Sequence, residues 1–62
     1  MKGETYITAK IKEAIALVDD ANNEAYAYSK NSEANIKVSD ITWKVSEALQ
    51  LVLKEAYNQD YP

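Results

Sequence analysis

The oxygen-rich run Asp19, Asp20, Asn22 and Glu24 is the part of this 62-residue chain that most invites a chemical reading, because closely spaced carboxylates and amides are how a loop holds a divalent cation. Set on a calcium loop, Asp20, Asn22 and Glu24 take its first, third and fifth places. The sixth place, which needs Gly for a sharp turn, is then Ala25, and the twelfth, which needs a bidentate Glu, is Asn31. The motif fails at both, so the run reads as the solvated face of a helix. Di-iron chemistry in a helical bundle requires inward Glu residues and Glu-x-x-His on facing helices. The chain has no His, and the apolar stripe of its first half carries no carboxylate. Without His or Cys there is no imidazole to shuttle protons and no thiolate nucleophile. Ser29, Ser32, Ser39 and Ser46 show neither G-x-S-x-G nor S-x-x-K spacing. We therefore expect no catalytic residue, no metal site and no cofactor, and a protein that binds rather than reacts.

Phosphate recognition needs clustered cations, and Arg supplies the bidentate base contacts. Here there are seven Lys, no Arg and a net charge of −3. On a helical wheel Lys10 and Lys12 fall on opposite flanks, and Lys44 and Lys54 stand about 80° apart, each interleaved with Glu13, Glu47 or Glu55. That dispersal weighs against nucleic acid as a partner without removing it. The longest purely apolar run, Ala14 to Val18, is far short of a membrane span, so the expected setting is the cytoplasm, or the host cytoplasm for a viral protein. Abundant Lys, Asn, Ile and Tyr with scarce Gly and Pro fit an A/T-rich coding sequence, as in a plasmid or virus.

What positions these side chains is a nearly unbroken helical pattern. No Gly or Pro stands between Glu4 and Tyr61, and strand alternation is nowhere sustained. Ile7, Ile11, Ala14, Val18, Ala21, Ala25 and Tyr28 follow one another at heptad spacing and predict a first helix over about 5–30, with the heptad running through Asp19 to Asn23. Asn31, Ser32 and Asn35 mark a connection over about 31–38. Ser39 is the expected N-cap of a second helix over about 39–58, with Asp40 in its first turn and Val38 stapled to Trp43. On that helix Val38, Ile41, Val45, Ala48, Leu49, Val52, Leu53 and Ala56 cover an arc of roughly 140°, wide enough for two neighbours. The whole chain, 1–62, is then one helical-hairpin domain.

A hairpin alone leaves the outer part of both stripes wet, and a core of thirteen Ile, Leu and Val side chains is too small to stand without a staple, of which zero Cys provides none. The expectation is an all-α, antiparallel helical hairpin forming a homodimeric four-helix bundle. Its dimer core is Ile7, Ile11, Ala14, Val18, Ala21 and Ala25 from the first helix and Ile41, Val45, Ala48, Leu49, Val52 and Ala56 from the second. Small Ala14, Ala21 and Ala25 alternating with Ile7, Ile11 and Val18 resembles the layering of the plasmid-borne Rop family, and the length and topology are also similar to small hairpin proteins of crenarchaeal spindle-shaped viruses. The first resemblance implies a dimer of hairpins binding RNA across one helix pair; the second implies an adaptor.

Off the core face stand Trp43, about 160° from its centre, and Leu51 and Tyr57, about 120° off on opposite sides. These are the candidate contacts to a protein partner, since Trp and Tyr are frequent interface anchors. The function expected is that of a small adaptor or modulator, plasmid or virus encoded. The alternatives are a Rop-like RNA- or DNA-binding modulator and a structural or capsid-associated assembly protein.

Overall fold

A computed structural model describes residues 2–30 and 32–61; Met1, Pro62 and Asn31, the residue placed above at the start of the connection, lie outside them. Two helices, α1 (Lys2–Ala27) and α2 (Glu33–Tyr57), fold back on each other as an antiparallel hairpin with extents of 47 × 16 × 16 Å. There is no strand among the described residues. α1 passes through Asp19 to Asn23 without a break, as its uninterrupted heptad requires.

The turn between the helices is held by its own polar groups rather than by Gly or Pro. The Tyr28 amide donates to the Glu24 carbonyl, and the Ser29 amide and hydroxyl both donate to the Tyr26 carbonyl, which winds down the end of α1. Ser32, in extended backbone, is the N-cap of α2 and accepts from the Asn35 amide at 3.2 Å. The Asn35 side chain reaches back 2.9 Å to the Tyr28 carbonyl, tying the two helix ends together. Glu33 and Lys54 sit at the ends of α2 that their charges favour.

The start of α2 corrects the expectation drawn from Ser39. Ser32 and Ser39 are each followed by an acidic residue, but it is Ser32 that caps, so 33–38 are helical and Ser39 lies inside the helix. A staple between Val38 and Trp43 falls with the cap, since residues five apart on one helix diverge by about 140°; both are exposed. At the other end Asn58 takes the left-handed conformation (φ 53°), which Asn tolerates better than most residues. The Asn58 amide donates to the Lys54 carbonyl and the Gln59 amide to the Leu53 carbonyl, closing α2 with an αL C-cap.

The seam between α1 and α2 also differs from the expected stripe. On α1 it runs along Thr8, Ile11, Ile15, Val18, Asn22 and Ala25, of which Thr8, Ile15 and Ala25 are buried and the rest half-buried. On α2 it runs along Asn35, Ser39, Thr42, Ser46, Leu49, Leu53 and Tyr57, with Ser46 and Leu53 buried. Both sets keep heptad spacing as far as Leu53. Relative to expectation, Thr8, Ile15 and Asn22 replace Ile7, Ala14 and Ala21, a rotation of α1 by roughly 50°. Ile15 and Leu53, both 0% exposed, fill the open half, where the seam is mostly apolar but includes buried Thr8. The half next to the turn is built from small polar side chains, which let the axes approach closely.

Candidate docking faces

The polar half of the seam is internally satisfied. The Asn22 amide nitrogen donates to the Ser39 carbonyl at 2.6 Å and to the Thr42 hydroxyl at 2.9 Å. Thr42 passes its own proton to the Val38 carbonyl at 2.8 Å. One turn toward the open end, the Ser46 hydroxyl donates to Asp19 Oδ1 at 2.6 Å and accepts from Gln50 Nε2 at 3.2 Å. Among the described residues no buried side-chain nitrogen or oxygen lacks a partner. Asp19 and Asn22 are thus not part of a solvated face, as the sequence reading had them. They are the cross-links that set α2 in register with α1, because each would leave an unpaired polar group near the seam in any slipped register.

This placement settles what lies on either side of the hairpin. Tyr26, Ser29, Ile36, Ser39 and Asp40 line one hollow of about 230 Å³ at the turn end, so the flank of α1 carrying Tyr26 and the flank of α2 carrying Ile36 belong to the same side. The opposite flanks therefore also share a side. There α1 presents Ile7, Ala14 and Ala21, and α2 presents Val38, Ile41, Val45, Ala48 and Val52 at heptad spacing, with Ala56 one turn further. Ile7, Val38, Val45 and Val52 are 42–46% exposed and Ile41 59%. Ala21, Ala48 and Ala56 are exposed and Ala14 is half-buried. From Val38 to Ala56 this flank runs about 27 Å at 1.5 Å per residue, along one side of a hairpin 47 Å long.

The twelve residues expected in a dimer core are therefore divided within the single chain. Ala25 is buried in the seam, and Ile11, Val18 and Leu49 are half-buried along it. The remaining eight form the apolar flank just described. Besides Ile15 and Asn22, the seam residues the sequence reading missed include Thr8 and Ser46, buried polar groups whose hydroxyls are satisfied by the Thr5 carbonyl and Asp19. Hydropathy carries no signal for such positions; only the 3.5-residue spacing that links Thr8 to Ile11 and Ile15 could have marked them.

Among the three candidate contacts, Trp43 is 60% exposed and stands on the side of the hairpin opposite the apolar flank, seven residues from Ile36 on the same stripe of α2. Leu51 is exposed beside the tail, where Gln59, Asp60 and Tyr61 turn back and share a hollow with Glu47, Gln50 and Lys54. Tyr57 is half-buried at the open end, in a hollow with Thr5, Thr8 and Lys12. The three do not form one surface. Ile36, on the Trp43 stripe, and Tyr26, on α1, line the hollow at the turn end of the same side.

Among the described residues no group of three His, Cys, Asp or Glu side chains is arranged to hold a metal ion, and no helix is long and apolar enough to cross a membrane. The lysines stay dispersed; Lys10 lies over the Tyr6 ring, 5.5 Å from its centroid, and 3.9 Å from Glu13. No family model matches this chain, and neither does any curated protein or solved structure. The resemblance to Rop-like and viral hairpin proteins accordingly extends to the helical hairpin and no further.

Proposed function

We propose that this chain is a non-enzymatic adaptor, a homodimeric four-helix bundle that uses one side of each hairpin to pair with a second copy and the other to contact a protein partner. The observation that carries the reading is the distribution of side chains: serine, threonine and asparagine fill half of the intramolecular seam, while Val38, Ile41, Val45 and Val52 stand together in water. A monomer would spend its branched aliphatics on solvent and its polar residues on its core. A second copy, two-fold related and presenting the same face, supplies the missing layer at helix spacings of about 8–10 Å.

A contiguous exposed apolar face is a feature of interaction sites. With the dimer formed, the Trp43 side of each hairpin remains outward, giving two equivalent contact surfaces per bundle. Sedimentation equilibrium tests the dimer: the expected mass is about 14 kDa, twice the 7.0 kDa chain. A concentration-independent mass of 7.0 kDa would refute it.

A further inference from the structure

The apolar flank has the pattern of a second seam. On α1, Ile7, Lys10, Ala14, Leu17, Ala21 and Glu24 follow one another at spacings of three, four, three, four and three. On α2, Val38, Ile41, Val45, Ala48, Val52 and Glu55 repeat the same series. All are exposed except Ala14, which is half-buried, and Leu17 is 68% exposed. Each helix therefore carries two heptads side by side, one used within the hairpin and one open. The bonds from Asn22 to Thr42 and from Asp19 to Ser46 fix which residues of the two helices stand level along the hairpin. Counting outward from them, Ile7 is level with Ala56, Lys10 with Glu55, Ala14 with Val52, Leu17 with Ala48 and Ala21 with Val45, each to within about 3 Å.

A two-fold axis can lay one such face on another in two ways. Run along the hairpin, it places α1 of one copy on α2 of the other, with both turns at one end. Run across the hairpin, it places α1 on α1 and α2 on α2, with the turns at opposite ends. The first keeps every residue at its own level, so its register has no freedom to adjust. At those levels large meets small: Val52 and Val45 face Ala14 and Ala21, while Leu17 and Ile7 face Ala48 and Ala56. The charges agree as well. Lys10 faces Glu55, Glu24 falls between Lys37 and Lys44, and Asp20 stands level with Lys44 on the rim. Glu13 faces Leu51 and keeps Lys10 of its own chain, 3.9 Å away. The second way sets the Ala-rich stripe of α1 on itself and the Val-rich stripe of α2 on itself, so its two contacts demand different helix spacings. Its best charge match, Lys10 on Glu24, also brings Glu13 against Asp20. We infer that two copies pair about an axis parallel to the hairpin, α1 of each seated on α2 of the other and both turns at one end. The inference rests on the dimer proposed above and gives it an arrangement.

The chain has no Cys, so introduced cysteines report the arrangement without background. Leu17→Cys and Ala48→Cys are oxidised separately, and then as a mixture unfolded and refolded together. A disulfide needs Cα atoms within about 7 Å. The expected result is a cross-linked heterodimer in the mixture, identified by mass, and no cross-link from either variant alone. Cross-linking of Leu17→Cys by itself, or none in the mixture, would overturn the arrangement. Charge exchange gives an independent reading. Lys10→Glu is expected to weaken pairing about tenfold, because two ion pairs per dimer are reversed, and adding Glu55→Lys to restore it. With the turns opposed, the double variant would pair more weakly still, and that result contradicts the arrangement. Sedimentation of the wild-type chain separates the two claims: a dimer that fails these tests overturns this inference alone, while a monomer overturns the bundle on which it rests.

Discussion

The seam inside the hairpin and the flank outside it invert the usual arrangement of a small protein. In the seam, Asn22 is bonded to Ser39 and Thr42, and Asp19 to Ser46, leaving Ile15 and Leu53 as the fully buried aliphatics. On the flank, six branched or small apolar side chains of α2 line up with nothing over them. The difference separates two tasks. Polar cross-links at a helix seam specify one register because every alternative leaves donors unpaired, but they contribute little net stability. Apolar area contributes stability without specifying much. The hairpin places polar side chains in its seam and leaves apolar area on its flank; on the reading proposed above, that area is for an intermolecular contact.

Three substitutions sharpen that contrast, the largest effect first. Leu53→Ala empties a site with no solvent access, and its cost should fall at about 2–5 kcal/mol, read from the urea midpoint. In a protein this small, such a loss would leave the fold marginal at best. Asn22→Ala removes two donated bonds and leaves the Thr42 hydroxyl without one of its contacts, at a cost of about 1–2 kcal/mol. Asn22→Leu should recover most of that stability while broadening the amide peaks of 35–46 in NMR spectra, because the register is then set by shape alone. Sharp peaks in the Leu variant would mean that the polar cross-links do not define the register.

Much of the architecture could be read from the residues. The absence of Gly and Pro across the interior and the heptad through Asp19 to Asn23 predict helix, and Asn31, Ser32 and Asn35 mark a connection near its place, though the expected span of about 31–38 is too long because α2 begins at Glu33. The error lay in which stripe faces inward. Each helix carries two overlapping heptads, Ile7–Ala14–Ala21 beside Thr8–Ile15–Asn22 on α1, and hydropathy selects the more apolar one. That choice assumes the strongest stripe faces the nearest helix, whereas here it faces outward. The bond from Asn22 to Thr42 spans twenty residues and has no local signature. The cap was ambiguous for a similar reason: Ser32-Glu33 and Ser39-Asp40 are equivalent signals, and the choice between them is made by Asn35, whose amide donates to Ser32 and whose side chain holds Tyr28. Trp43 was recognised as lying off the core. Its neighbours Tyr26 and Ile36 come from different helices, and only the fold brings them to one side.

The central claim, that the apolar flank is covered by a second copy, is tested most directly by the melting temperature as a function of protein concentration. When folding and pairing are coupled, the dimer gains stability by mass action, by about 2.7 kcal/mol for a hundredfold excess over the dissociation constant. The Tm of the wild-type chain should therefore rise steadily over a hundredfold range of concentration, and that slope should vanish in the flank variant Val45→Glu, which buries a charge in the interface. A wild-type Tm that stays constant across the range would contradict the account.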